Sequence, residues 1–278
     1  MSQQANFSLH SNSKGNLLKT TRQDGDKLEF LKTGRLQVRD FPTFWGIEPV
    51  IEVLCYRLGR VLGLNIATQR LDLYAGSRLG RDFETLVCVS DDFRNGKSLI
   101  YLQSLYIENE DMIEFDKLCR LTGCGESLID MLAFDLIIMN EDRHNSNVGF
   151  LISDDEQLEL APIYDNGYSL LYDDIKGMQG AFKTASRHCL CNAPLYNEGF
   201  TAAENIFRKY SKIYTPTIKL DIDRKQIENA VNGVKLEYNR LIKQANNIVL
   251  PDVWWDKVID FIMWRIDYVR DLRDSMEE

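Results

Sequence analysis

The sequence lacks a long hydrophobic run, and its first residues lack the pattern of a secretion signal. No uninterrupted apolar segment approaches the roughly 18–20 residues that a membrane-spanning helix needs. Residues 1–16 are polar and contain no apolar core of the kind that a secretory signal peptide carries. These absences argue against a membrane span and predict a cytoplasmic protein, with delivery to a target cell as an effector left open.

Paired cysteines and an excess of positive charge are also missing. The six cysteines are scattered over 278 residues, and no disulfide framework is expected in a cytosolic chain of this size. His188, Cys189 and Cys191 lie close together in sequence, but the second ligand pair that zinc sites usually have is absent. The formal net charge of −9 argues against direct nucleic-acid binding, because phosphate contacts require a positive face.

The first third of the sequence is rich in strand patterns. Short alternating runs are separated by turn signals, and Asp24-Gly25 is a strong hairpin signal. They predict a small antiparallel sheet in which one strand ends at Lys32. A helix is predicted over residues 49–62, where apolar side chains recur at helical spacing, and strands are predicted at 66–74 and 83–89.

The remainder of the sequence is mostly helical in pattern and follows a polar connection at residues 90–96. An apolar stripe over residues 128–137 predicts a helix that leads to Asn140, and residues 148–161 predict a hairpin. Three further helices are predicted at 201–210, 223–244 and 251–276. We therefore predict an α+β fold with a sheet-containing part at residues 1–92 and a helical part at residues 93–278. The apolar face of the final helix is expected to be core, with a partner or dimer surface as the alternative.

Two short polar segments in the helical part carry residues suited to phosphoryl transfer. Asn147 follows Asp142 by five residues, and Asp165 follows Asn147 by eighteen. Phosphoryl transfer to a hydroxyl uses a carboxylate that accepts the proton, together with an Asn and an Asp that hold Mg²⁺ on the nucleotide. The spacing predicts a kinase that uses ATP and Mg²⁺, with Asp142 as the base and with Asn147 and Asp165 as metal ligands. Ordinary turn-forming roles for the three residues are the alternative.

The same segments resemble the catalytic and metal-binding loops of HipA-like serine/threonine kinases. The family's N-x-D-x-H-x-x-N pattern is matched by Asn140-Glu141-Asp142-Arg143-His144-Asn145-Ser146-Asn147, and its P-x-Y-D pattern by Pro162-Ile163-Tyr164-Asp165. The likeness extends over about residues 7–175 and includes the first-lobe helix. It implies a two-lobed protein-kinase-like fold without the extra N-terminal subdomain of full-length HipA proteins. It also implies a protein substrate with a serine or threonine acceptor.

The resemblance implies further site residues. Lys32 would contact the nucleotide phosphates, and Glu52, on the inward face of its helix, would pair with Lys32 and fix its ammonium group. A solvated charged pair is the alternative for these two residues. His144 would support the loop by hydrogen bonding close to the nucleotide, and Arg143 would pair either with a phosphate or with a nearby acid.

Residues 11–16 lie where a kinase places the loop that covers the phosphates. We predict that Ser13, Lys14 and Gly15 bind the nucleotide there, because backbone N–H groups next to glycine and small residues can cradle phosphates. In HipA-like kinases this loop can carry a regulatory autophosphorylated serine, which makes Ser11 and Ser13 candidates. A polar hairpin turn is the alternative. Residues 168–193 would form the activation and substrate-binding segment.

The loop at Asp142 also resembles the D-R-H-N-x-N loop of phosphoinositide kinases. A lipid acceptor therefore stays open as an alternative to a protein acceptor. The chain length, the Pro-x-Tyr-Asp form and the helix around Glu52 favour the HipA-like kinases. A third possibility is an ATP-binding module without turnover. The sequence leaves the oligomeric state open.

Overall fold

The N-terminal part of the chain forms an antiparallel sheet with one long helix. The structure is a computed structural model that describes residues 17–37, 44–78, 81–108, 114–170 and 200–275. The elements of this part are β1 (Leu17–Asp24), β2 (Lys27–Gln37), β3 (Phe44–Trp45), α1 (Glu48–Val61), β4 (Gln69–Arg78) and β5 (Arg81–Asp91). The strands are ordered β1-β2-β5-β4, and β3 pairs with β2. The predicted hairpin at Asp24-Gly25 is confirmed, and Gly25 has a φ of 60°.

Lys32 lies in the interior of β2, and the prediction that this strand ends at Lys32 is wrong. The strand continues to Gln37, because its second half still pairs with β1 and then with β3. Lys32 is paired with Lys19 of β1 on one side and with Cys88 of β5 on the other. The backbone of Lys32 is therefore held by two neighbouring strands, which fixes the direction of its side chain.

The C-terminal part is mostly helical and contains a small second sheet. Its elements are β6 (Ser98–Tyr101), α2 (Leu102–Glu108), α3 (Phe115–Thr122), α4 (Gly125–Ile138), β7 (Gly149–Ile152), β8 (Leu158–Leu160), α5 (Phe200–Tyr210), α6 (Arg224–Leu241), a 3₁₀ helix (Ile242–Gln244) and α7 (Asp252–Asp274). The predicted hairpin is confirmed as β7 and β8, and β6 adds a third antiparallel strand. The predicted core role of the final helix is confirmed, since Trp254, Trp255 and Ile262 are buried.

Helix α1 is buried between the sheet and helix α6. Ten of its residues are buried, among them both Glu48 and Glu52. Pro49 occupies the first turn, where its missing N–H leaves no helical hydrogen bond unmade, and Gly63 follows the helix end with a φ of 81°. A helix with this much buried surface holds its side chains in fixed positions, including the two glutamates.

A segment after α6 returns to the N-terminal sheet. The amide oxygen of buried Asn247 accepts hydrogen bonds from the backbone N–H of Leu86, at 2.8 Å, and from the Thr85 hydroxyl, at 3.0 Å. Its amide nitrogen donates to the carbonyl oxygen of Gly46 at 3.0 Å. The C-terminal part is thereby bonded both to β5 and to the chain just before α1.

The predicted α+β fold class is confirmed by this arrangement of an antiparallel sheet followed by helices. The division between residues 92 and 93 stays a prediction, and it falls directly after β5. Among the described residues, no helix combines the length and the apolar character needed to cross a membrane.

Candidate active site

A cleft of about 1450 Å³ separates the face of the N-terminal sheet from the loops that follow α4 and β8. The structure brings six of the predicted site residues to its walls: Lys32, Glu52, Asp142, His144, Asn147 and Asp165. The other three predicted residues, Ser13, Lys14 and Gly15, lie outside the described residues, as does Ser11. Residues far apart in sequence therefore converge on one cleft.

Lys32 joins two acidic residues in the wall of the cleft. Its Nζ lies 2.7 Å from Oε1 of Glu52 and also contacts Oδ1 of Asp165. Burial alone would lower the pKa of the Lys32 ammonium, but Asp165 and Glu52 outweigh burial and raise this pKa above its usual value. Lys32 consequently stays charged, and the predicted pairing with Glu52 is present.

The second carboxylate oxygen of Glu52 connects α1 with the loop that contains Asp165. It accepts a hydrogen bond from the backbone N–H of Asn166 at 2.9 Å and another from the Gln69 side chain at 3.2 Å. Asp165 itself has a φ of 58°, a left-handed conformation that non-glycine residues adopt only when their surroundings hold them there. The hydrogen bond that the backbone N–H of Asn166 donates to Glu52 is part of that restraint.

Lys19 is a site residue that the sequence reasoning missed. Its Nζ lies 3.6 Å from Oδ2 of Asp165, and its side chain is 48% exposed at the cleft. Burial alone would raise the pKa of the Asp165 carboxyl, but the Lys32 and Lys19 ammonium groups hold it below its usual range. Asp165 is therefore ionised and faces two cations.

The loop after α4 forms a tight turn around the backbone of Asp142. The Asp142 carbonyl oxygen accepts hydrogen bonds from the His144 N–H at 2.8 Å and from the Asn147 side-chain amide at 2.9 Å. Because the Asn147 nitrogen is used in this way, its amide oxygen is the atom left for a metal. The Asp142 carboxyl is 40% exposed to the cleft. Partial burial raises its pKa above the usual value, and the charge of Asp165 adds to this effect.

His144 supports this loop by hydrogen bonding, as the resemblance predicted. Its Nδ1 accepts a hydrogen bond from the backbone N–H of Ser146 at 3.1 Å. A neutral His144 therefore carries its proton on Nε2, which faces Oδ2 of Asp142 at 3.9 Å. Held in this way, a neutral His144 offers a donor at Nε2, whereas the Asp142 carboxylate offers an acceptor.

Arg143 pairs with an acid inside the protein, which decides between the two partners that the sequence left open. Nε and Nη2 each lie 2.9 Å from a carboxylate oxygen of Asp135 on α4. Nη1 donates to the carbonyl oxygens of Asn147 and Tyr164, both at 2.9 Å, and Nη2 donates to Oδ1 of Asn166 at 2.7 Å. These five hydrogen bonds use all five guanidinium N–H groups, so that Arg143 has no donor left for a phosphate.

Asn147 and Asp165 are the residues that could hold a divalent cation. Mg²⁺ prefers oxygen ligands and usually binds through one or two carboxylates together with substrate phosphates and water. An amide oxygen and an ionised carboxylate that line the same cleft fit that preference. Within the described ranges, no cluster of three or more His, Cys, Asp or Glu residues forms a separate metal site.

Comparison with known proteins gives matches at the level of structure. No protein-family model and no curated protein sequence matches the chain. The proinflammatory kinase CtkA of Helicobacter pylori matches with a TM-score of 0.58 at 16% identity, over 94% of this chain and 95% of CtkA. HipA of Shewanella oneidensis MR-1 matches at 0.46 and 14%, over 99% of this chain and 68% of HipA. The maize SIRK1 kinase domain bound to AMP-PNP matches at 0.34 and 15%, over 94% and 89%.

The likeness to CtkA spans nearly the whole of both chains. At 16% identity it is evidence of fold alone. It agrees with the order of elements described above, in which an antiparallel sheet with one long helix precedes a helical part. The protein has a two-lobed kinase fold, as the resemblance in its sequence predicted.

Proposed function

We propose that the protein is a Mg-ATP-dependent serine/threonine protein kinase. The observation that carries this proposal is the convergence of five side chains on one cleft within a kinase fold. They come from separate segments of the chain: Lys32 from β2, Glu52 from α1, Asp142 and Asn147 from the loop after α4, and Asp165 from the loop after β8. Phosphoryl transfer is catalysed mainly by positioning and by charge stabilisation, which such a set can supply.

Lys32 and Lys19 would bind the nucleotide phosphates. Both ammonium groups already face Asp165, and the Lys19 side chain is half exposed and able to turn towards an incoming anion. Glu52 keeps one side of Lys32 fixed while the other side meets the phosphates. Mg²⁺, held by Asn147 and Asp165, would neutralise charge on the phosphate oxygens during transfer.

The part of the cleft beside Leu28 and Phe30 suits the adenine base. Both residues line the cleft from β2, and Phe30 is 38% exposed although it is a large apolar residue. A flat aromatic base that lies against these side chains would remove apolar surface from water and fix the direction of the phosphates towards Lys32.

Asp142 would accept the proton of the acceptor hydroxyl. Its carboxyl reaches the cleft surface, where a substrate side chain can approach, and its raised pKa makes it a better proton acceptor than an ordinary aspartate. As the hydroxyl oxygen bonds to the γ-phosphorus, the bond from that phosphorus to ADP breaks and the hydroxyl proton passes to Asp142. Autophosphorylation at Ser11 or Ser13 stays a prediction.

The test is a transfer assay with γ-labelled ATP and Mg²⁺ on the wild type, Asp142→Asn and Asp165→Asn. We expect each variant to fold and to lose several orders of magnitude in transfer. Mass spectrometry of the labelled wild type then locates any autophosphorylated residue. Undiminished transfer in both variants would refute the site. Label in lipid vesicles alone would select a lipid kinase, and Mg-ATP binding without transfer by the wild type would select the silent binding module.

A further inference from the structure

Asp135 and Arg143 form a buried ion pair that does not line the cleft, so that contact with a substrate does not explain it. The side chains of Asp135 and Arg143 are 1% and 0% exposed, and neither belongs to the walls of the cleft. Burying two charges carries a desolvation penalty that their attraction often only just offsets, so that such a pair is weak evidence for a role in stability. Its position in the fold suggests a different role.

Arg143 connects the two residues proposed as metal ligands. One of its N–H groups binds the carbonyl oxygen of Asn147 itself, and two others bind Tyr164 and Asn166, which flank Asp165. The guanidinium is rigid and planar, and its donors have fixed directions relative to one another. A single side chain thereby sets the distance between the two loops.

Asp135 fixes the orientation of that guanidinium. Its two carboxylate oxygens bind Nε and Nη2 of Arg143, while its backbone belongs to the buried helix α4. Asp135 also accepts a hydrogen bond from the Asn140 side chain, at 3.3 Å, at the start of the catalytic loop. Without the carboxylate, the charge of Arg143 would be buried without a counter-ion and its plane would be free to turn.

We propose that Asp135 is a positioning residue that acts through Arg143 and sets the affinity of the site for Mg²⁺. The proposal rests on the proposed function, because Asn147 and Asp165 are metal ligands only if the cleft binds Mg-ATP. Residues that orient metal ligands typically change metal affinity by about 10–100-fold when they are replaced.

Asp130 offers a matched control on the same helix. It is also a buried aspartate of α4, and its carboxylate accepts hydrogen bonds from the backbone N–H groups of Thr217, at 2.8 Å, and Ile218, at 3.0 Å. It does not line the cleft and has no bond to Arg143 among the described contacts. Asp130→Asn and Asp135→Asn therefore make the same chemical change at one site away from the loops and at one site joined to them.

The experiment measures thermal stabilisation by the ATP analogue AMP-PNP over a Mg²⁺ titration, together with phosphate transfer. We expect Asp135→Asn to raise the half-saturating Mg²⁺ concentration by about tenfold or more, and Asp130→Asn to leave it unchanged. Both variants are expected to melt at lower temperature than the wild type. Arg143→Lys, which keeps the charge but has only three donors, should reproduce the Mg²⁺ shift and serves if Asp135→Asn fails to fold.

An unchanged Mg²⁺ requirement in Asp135→Asn or, if that variant does not fold, in Arg143→Lys would overturn the proposal and leave the pair a purely structural one. Equal shifts in Asp130→Asn and Asp135→Asn would overturn it as well. A wild type that AMP-PNP stabilises in a Mg²⁺-dependent way, but that transfers no phosphate, would contradict the proposed function. The shift in Asp135→Asn would then still support the positioning role.

Discussion

Asn166, the residue after Asp165, is held from both parts of the molecule, and the two anchors differ in kind. The N-terminal anchor, Lys32 with Glu52, binds the backbone of Asn166 through Glu52 at 2.9 Å. The C-terminal anchor, Asp135 with Arg143, binds the side chain of Asn166 through Arg143 at 2.7 Å. The first anchor opens to the cleft at Lys32, whereas the second is sealed in the core.

This difference assigns the two anchors different tasks. The ammonium group of Lys32 contacts Asp165, where a metal and phosphates would come, and must share that carboxylate when a ligand binds. Every donor of Arg143 is already bonded within the protein, so that a ligand leaves this anchor unchanged. Under the proposed function, the N-terminal anchor would exchange partners when Mg-ATP binds, and the C-terminal anchor would keep the loops of Asn147 and Asp165 at a fixed distance.

Removal of the arginine from the C-terminal anchor is expected to have the largest effect on stability. Arg143→Met leaves the Asp135 carboxylate buried without a counter-ion, which should lower the free energy of unfolding by about 3–5 kcal/mol. Urea denaturation followed by circular dichroism measures this loss.

The double variant Asp135→Leu/Arg143→Met is the matched control. Because it removes both charges, it should regain the part of the lost stability that is due to the unpaired carboxylate, while the carbonyl oxygens of Asn147 and Tyr164 stay without their donor. It should not regain the Mg²⁺ affinity, because no arginine then joins the loop of Asn147 to the loop of Asp165. A loss well below this range would show that the Asp135 carboxylate does not depend on Arg143, and the contrast between the two anchors would no longer hold.

The two lysines of the N-terminal side should differ in how much each contributes to the rate of phosphate transfer. Lys32→Met removes a fixed cation from the phosphates, and transfer should fall by about 10²–10³-fold. Lys19 is 48% exposed and more screened by water, so Lys19→Met should cost less than about tenfold. Steady-state kinetics with ATP as the varied substrate measures both. Equal losses would mean that Lys19 is as firmly placed as Lys32.

The sequence predicted those site residues whose positions follow from a local sequence pattern. Asp142, Asn147 and Asp165 stand at fixed spacings on loops between regular elements, and Glu52 lies on a periodic helix. Lys19 was missed although a signal existed. The turn at Asp24-Gly25 sets a register in which paired residue numbers sum to 51, and this places Lys19 opposite Lys32.

The remaining parts of the site depend on contacts between distant segments. Asp135 lies in helix α4, most of whose residues are apolar, and only the folded chain shows that its neighbour is Arg143. Strand β6 has four residues, and Ser98 pairs with Ile152 more than fifty residues away. β2 extends beyond Lys32 because it still pairs with β1 and then with β3, which follows only after residues 38–43. Short strands with distant partners leave no periodic signal in sequence.

A smaller effect is expected where the C-terminal part binds the N-terminal sheet. Asn247→Ala leaves the backbone N–H of Leu86 and the carbonyl oxygen of Gly46 without this buried partner, which should lower the free energy of unfolding by about 1–3 kcal/mol. Asn246→Ala is the control, because the exposed Asn246 binds Glu84 through its backbone only. Thermal denaturation of both variants tests whether the Asn247 side chain stabilises the fold by joining this segment to the N-terminal sheet. A similar loss of stability in both variants would contradict this role.

The smallest effect concerns Glu48, which lies one turn before Glu52 on α1 and forms no ion pair with the described residues like that of Lys32 with Glu52. Its carboxylate is buried and accepts a hydrogen bond from the backbone N–H of Arg35 at 3.1 Å. Burial raises the pKa of this carboxyl above its usual value of 4.5, although the hydrogen bond and nearby cations oppose the rise. The folded state therefore binds the proton more tightly than the unfolded state does, and folding is penalised increasingly as the pH rises above 4.5.

Glu48→Gln removes this penalty and keeps an oxygen that can accept from Arg35. We expect the variant to be more stable than the wild type at pH 8 and to lose this advantage as the pH falls to 4.5 and below. Other groups titrate equally in both proteins, so that the difference between their melting temperatures at pH 5 and pH 8 isolates Glu48. A variant that is less stable at pH 8 would show that Glu48 is held by a cation in the folded state, as Glu52 is. The N-terminal anchor would then contain two paired glutamates, and α1 would depend on charge at both.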